Sequence, residues 1–200
     1  QEKLKKEWNL SSNVFTILLP GRLTYWKGQE KFIESLNILI EDYNVNNFQA
    51  IILGSDQGRK VYSKKLINLV ERYNLNKKIK FIEHCKEMPL AYSLSDVVVS
   101  TSIEPEAFGR ISVEAQSMGK PIIASNIGGS KETVINKKTG LLYKYDDPRE
   151  LAKCLNAVIQ LSPDELKSMG NEGRKNVTKK FDVETMCQSN LKEYKRLIKN

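Results

Sequence analysis

The sequence predicts an α/β chain built on a single doubly wound parallel sheet, with extra helices at its carboxyl end. Three observations carry this expectation. Short apolar runs that stop at glycine or small polar residues alternate with longer stretches of helical spacing. The runs are apolar at consecutive positions, as at Val97, Val98 and Val99, which is the pattern of strands covered on both faces. Beyond Asp147 the strand-like runs cease. Strands separated by helices require right-handed crossovers, and these give a parallel sheet with helices on both sides.

Taken in order, VFTILLP (14 to 20) reads as a strand and GRLTYWKG as a glycine-bounded loop. QEKFIESLNILIEDY follows as a helix with Phe32, Leu36, Leu39 and Tyr43 on one face. FQAIILG (48 to 54) is the second strand, KVYSKKLINLVERYNL the second helix and KIKFIEH a short third strand. MPLAYSLS reads as a short helix and DVVVSTS as a strand. Pro105 disfavours helix at Glu104 and Gly109 weakens a helix interior, so EPEAFG is a turn before the helix ISVEAQSM. KPIIASN is a strand that stops at Gly128 and Gly129, and TGLLYKY closes the alternation. Pro148 then opens a helix, and Ser162, Pro163 and Glu165 form the start signal of another. The expected organisation is residues 1–12 as a linker or the start of the domain, 13–181 as the ligand-binding domain and 182–200 as a carboxyl-terminal helix.

Two hundred residues at 40% hydrophobic suffice for one full core. The missing initiator Met suggests a fragment or a processed chain, and no signal pattern or membrane-length apolar run occurs. Cys85, Cys154 and Cys187 are odd in number and widely spaced, so they are expected as reduced thiols of a cytoplasmic protein. The net charge of +8 admits nucleic acid, an acidic membrane surface or an anionic small ligand. Basic residues are spread along the chain and are mostly Lys, whereas nucleic-acid surfaces lean on Arg and aromatics. Nucleic acid is therefore not an expected partner.

In a doubly wound sheet, ligands bind outside the carboxyl ends of the strands. The loop GRLTYWKG there is neither a Walker motif nor a G-x-G-x-x-G cradle, and the chain has no G-x-S-x-G, D-x-D or H-x-x-x-H. No metal ligand set is expected, and His84, the single histidine, is a poor candidate for a general base. Two cations, Arg22 and Lys27, stand in the first loop between Gly21 and Gly28. Gly54, Gly109, Gly128 and Gly129 open further backbone amides, and the amides of Phe108, Gly109 and Arg110 lie at a helix start suited to an anion. Glu106 and Glu114 bracket that turn. Each acid alone also fits a solvated loop residue or a first-turn acid favoured by the helix dipole. A carboxylate facing a phosphate would be repelled, while one facing vicinal hydroxyls accepts charge-assisted hydrogen bonds. Two acids around an anion-binding turn suit a nucleotide-sugar, which has a sugar on each side of its diphosphate.

GRLTYWKG followed by EPEAFGRISVEAQSMGKPIIASNIGG resembles the carboxyl-terminal, donor-binding domain of GT-B glycosyltransferases of the GT4 type, the retaining group known as glycosyl transferases group 1. The most specific part is the E-x7-E motif from Glu106 to Glu114, followed by Ala115, Gly119 and Pro121. The resemblance implies one Rossmann-like half of the two-domain fold. It also implies transfer of a hexosyl unit from a UDP- or GDP-sugar to a glycan or lipid-linked acceptor, without a metal. Arg22 and Lys27 would neutralise the diphosphate and Glu106 would hold the hexose near the reacting carbon, making these three the catalytic candidates. Glu114 would hold the ribose, with Gly21, Gly54, Phe108, Gly109, Arg110 and Gly129 lining the donor site. Arg110 departs from the family pattern and would add a phosphate contact or pair with an acid. Glu83, His84 and Cys85 depart where relatives have glycine, beside the expected nucleobase position.

The implied partners are the donor and an amino-terminal acceptor domain absent from this chain, on which the last helix would pack. The full-length enzyme would lie in the cytoplasm, with peripheral attachment to the inner face of the membrane, and this isolated domain would be inactive. The alternatives are a nucleotide-sugar epimerase or phosphorylase-like domain, and a basic nucleic-acid or membrane-surface module. The sequons at Asn9 and Asn176 are expected to be incidental.

Overall fold

The computed structural model describes residues 1–198; residues 199 and 200, the end of the expected last helix, lie outside the described residues. Six strands form one sheet: β1 (Phe15–Pro20), β2 (Phe48–Leu53), β3 (Ile79–Ile82), β4 (Val97–Ser100), β5 (Ile122–Ser125) and β6 (Gly140–Tyr143). Their order is β3-β2-β1-β4-β5-β6, and every pair is parallel. The chain winds outward from β1 to β3, then crosses back to place β4 on the other side of β1, with Ile17 opposite Val97. The winding reverses between β1 and β4, and a crevice opens at that point beyond the strand ends.

The helices between the strands are α2 (Gln29–Glu41), α3 (Lys60–Arg72), α4 (Met88–Ser93), α5 (Arg110–Ser117) and α6 (Ser130–Thr133). After the sheet come α7 (Pro148–Ile159), α8 (Pro163–Lys180) and α9 (Val183–Ile198). The consecutive apolar residues of the strands feed two cores alternately. Ile17, Leu19, Val97, Val99 and Ile123 pack with Phe32, Leu36, Leu66, Leu151 and Leu155 from α2, α3 and α7. Leu18, Ile51, Val98, Ile122 and Ala124 pack with Tyr92 and Ala115 from α4 and α5. Burying each large aliphatic side chain stabilises by about 1.5–3 kcal/mol, so both faces of β1 and β4 are fixed.

Two elements were absent from the expected order. Residues 1–12, expected as linker or start of the domain, contain α1 (Glu2–Glu7), which buries no residue of its own. Trp8, at its end, is 5% exposed and packs with the second core. The other addition is α6, a single turn after Gly129.

At the carboxyl end, Asp147 caps α7 by accepting from the amides of Arg149 and Glu150. Ser162 and Glu165 form a reciprocal capping box at the start of α8. Buried Asn176 of α8 donates to Gln116 Oε1 of α5 and to Thr133 O of α6, and Gln116 itself donates to Thr133 O. This node fixes α5 from behind. In contrast α9 buries nothing, and Met186, Leu191, Tyr194 and Leu197 are exposed along it. Among the described residues, no helix is long and apolar enough to cross a membrane.

Candidate functional site

Three loops at the carboxyl edge are stitched into one body. After β1 the chain makes a short turn, Tyr25–Lys27, and Gly28 takes a left-handed φ of 68°. A Cβ at Gly28 would stand 2.0 Å from the carbonyl oxygen of Thr101, so only glycine lets the loops after β1 and β4 come this close. Ile103 N–H donates to Trp26 O at 2.8 Å, and Thr101 Oγ1 donates to Lys27 O at 2.7 Å. The loop after β5 joins from the other side. Ser125 Oγ donates to Ser102 O at 2.7 Å, and Gly129 N–H donates to Glu106 O at 2.7 Å. Gly129 also lies against the backbone of Phe108, where a Cβ would approach within 2.4 Å.

The stitched loops border an open cleft of about 480 Å³. It brings together eight of the ten expected site residues: Gly21, Arg22, Lys27, Glu106, Phe108, Gly109, Arg110 and Glu114. Gly54 and Gly129 do not line it. Gly54 sits behind Gly21, its N–H given to Ile82 O at 2.8 Å, and Gly129 supports the acidic loop from below. His84 and Cys85 border a separate groove with α1 and Trp8. A larger cleft of about 630 Å³, lined by Thr16, Gln49, Asp96 and Lys120, lies at the opposite, amino ends of the strands.

Both acids of the carboxyl-edge cleft are already paired with cations. Lys27 Nζ donates to Glu106 Oε1 at 2.8 Å, with the two side chains 11% and 21% exposed. Ser102, buried, donates its hydroxyl to the same oxygen. The Lys27 ammonium also stands 4.5 Å from the centroid of the Trp26 ring, and the Arg22 guanidinium 5.9 Å from it, within cation–π range. The indole thus holds both cations on one side of the cleft. Glu114 has two different partners: Tyr92 donates its hydroxyl to Oε2 at 2.7 Å, and Arg110 donates to Oε1 at 3.0 Å. Of the two expected roles for Arg110, the structure displays the acid pairing. Burial first, then the hydrogen bond to Glu114 and its charge, push the Tyr92 phenol well above the ordinary tyrosine range, so it remains a donor.

Gly109 is the N-cap of α5, so the amides at Gly109 and Arg110 open onto the same space. Phe108 meets Phe181, at the end of α8, edge to face with centroids 5.7 Å apart. Sequence reasoning passed over Trp26, Met88, Tyr92 and Ser102. Tyr92 reads as one apolar face residue of a short helix; its only signal is the hydroxyl, since a buried tyrosine needs a partner for it. Trp26 carried no signal, because an aromatic in a loop has many uses.

The family model of glycosyl transferases group 1 matches residues 1–176. The chain is similar to the crystal structure of a glycosyltransferase from Rickettsia africae, at 32% identity and a TM-score of 0.92, over 100% of this chain and 52% of that one. It is likewise similar to Anabaena HepE in complex with UDP and glucose, at 29% identity and a TM-score of 0.88, over 97% and 51% of the two chains. Among curated relatives, the capsular polysaccharide biosynthesis glycosyltransferase CapM of Staphylococcus aureus is 28% identical over 96% of this chain and 50% of its own length. The chain therefore spans about half the length of these proteins.

Proposed function

The chain belongs to the glycosyl transferases group 1 family and has the fold of one half of a GT-B enzyme, and from that premise we propose that its carboxyl-edge cleft binds a nucleotide-sugar donor for retaining hexosyl transfer. The observation that carries the proposal is the arrangement of three cations, Arg22, Lys27 and Arg110, around two acids, Glu106 and Glu114, beside the amino end of α5. A diphosphate added there meets a net positive cluster and free amides.

In this reading the diphosphate lies against Arg22 and Lys27, whose positions the Trp26 ring holds. As the bond to the sugar breaks, charge builds on the departing nucleoside diphosphate, and fixed cations stabilise it in place of a divalent metal. Lys27 is shared with Glu106, and this pairing holds the Glu106 carboxylate beside the diphosphate position, where it can accept from hexose hydroxyls. Glu114 accepts from the ribose. The UDP in the Anabaena HepE complex supports a uridine donor as the first to try.

The acceptor and its binding groups belong to the half of the enzyme outside this chain. The family's last helix crosses to that half, and the exposed stripe of Met186, Leu191, Tyr194 and Leu197 supports the same use of α9 here. The similarity to a capsular polysaccharide biosynthesis glycosyltransferase supports a surface glycan or its lipid-linked precursor as acceptor. The full-length enzyme is proposed to work at the inner face of the membrane as a peripheral protein.

Calorimetric titration with UDP, GDP and ADP tests the donor reading. Saturable binding of one of them, unchanged by a chelator and accompanied by no sugar transfer from the isolated chain, is the expected result. Absence of binding to all three at millimolar concentration contradicts it.

A further inference from the structure

The Tyr92 hydroxyl is the polar group of the cleft for which the donor reading has no use. The residue is 2% exposed, packs with the second core and is among those that line the cleft. Its hydroxyl meets Glu114 Oε2 at 2.7 Å. Glu114 has another partner in Arg110, but that guanidinium side chain is 82% exposed and comes from the same helix, four residues earlier. An exposed pair of this kind holds its acid weakly and in a range of positions, whereas a buried phenol offers one position only. A glutamate side chain has several rotatable bonds to lose when it binds, and an anchor that has already removed that freedom strengthens every later contact.

We infer that Tyr92 is a positioning residue that holds Glu114 ready for the ribose hydroxyls and so makes the cleft select ribonucleotides over 2′-deoxyribonucleotides. The inference rests on the donor reading above. The carboxylate keeps enough lone pairs after accepting from Tyr92 to receive both hydroxyls of a vicinal diol. Because the phenol stays protonated throughout the working pH range, it never competes with Glu114 as a second anion. Tyr92→Phe retains the buried ring and removes only the hydrogen bond.

The test measures the affinity of the whole chain for UDP, GDP and ADP, for the 2′-deoxy form of whichever binds most tightly, and for inorganic pyrophosphate. The wild-type chain is expected to prefer the ribonucleotide by about tenfold, the worth of a hydrogen bond to a charged group. In Tyr92→Phe the preference should shrink to about twofold while pyrophosphate affinity stays the same. Glu114→Gln should already lack the preference, and adding Tyr92→Phe to it should change nothing further. If the wild-type chain discriminates and Tyr92→Phe keeps the full ratio, or loses all three ligands equally, the positioning role is overturned while the donor reading stands. If the wild-type chain binds no nucleotide, the donor reading itself fails and carries this inference with it. Equal binding of the ribo and deoxy forms by the wild-type chain overturns the ribose role of Glu114.

Discussion

At Gly28, hydrogen in place of a methyl group decides whether the loops after β1 and β4 can touch. Their contact puts Lys27 beside Glu106, so the charge arrangement of the cleft depends on a residue with no functional group. Alanine there would suffer both the left-handed φ of 68° and a Cβ 2.0 Å from Thr101 O. Gly28→Ala should destabilise the fold by about 2–4 kcal/mol, measured by denaturant unfolding, and weaken nucleotide binding in the fraction that folds. An unchanged midpoint would mean that the two loops are not held as described. At this scale the sequence was readable for residue type but not for pairing. Arg22, Lys27 and Glu106 stood out as charges in loops, and Glu114 as the acid in the helix that follows. The Lys27–Glu106 bond joins residues 79 apart and exists only because β4 returns to lie beside β1. Likewise the Tyr92 hydroxyl finds Glu114 across a gap of 22 residues that no local pattern reports.

Among the elements, α8 supports the site without touching a ligand. Its capping box fixes where it starts, and Asn176 near its other end ties α6 to α5, which borders the cleft. Ser162→Ala should lower stability by about 1 kcal/mol, read from thermal or denaturant unfolding. The pH dependence has a definite sign. Hydrogen bonds from the Ser162 side chain and backbone lower the Glu165 pKa below its ordinary value of 4.5. Glu165 therefore contributes stability above that pH and loses it as the pH falls through the lowered value, and Ser162→Ala should show a smaller acid loss than the wild-type chain. The capping signal of α8 was legible as Ser162, Pro163 and Glu165. In contrast α1 was not, since EKLKKE is nearly all polar and only Trp8, beyond its end, is buried. The single turn of α6 is too short for periodicity to reveal.

For the whole molecule, alternation of strand-like and helical segments was enough to give a parallel doubly wound sheet, because crossovers and two-sided burial leave few other solutions. The strand order was not readable, and it is the order that places the winding reversal between β1 and β4 and hence locates the cleft. The E-x7-E spacing acquires its meaning only there: one acid ends up against the cations of the first loop and the other against α4. The chain spans about half the length of CapM and of the two solved relatives described above, and α9 buries none of its residues.

The most direct measurement is a crystal structure of the chain soaked with the nucleoside diphosphate that it binds best. The proposed function predicts the diphosphate within hydrogen-bond distance of Arg22 and Lys27, the ribose on Glu114 and the Tyr92 hydroxyl still bonded to that carboxylate. A ligand seated in the cleft at the amino ends of the strands, near Asp96 and Lys120, or one whose phosphates turn away from both cations, would contradict it.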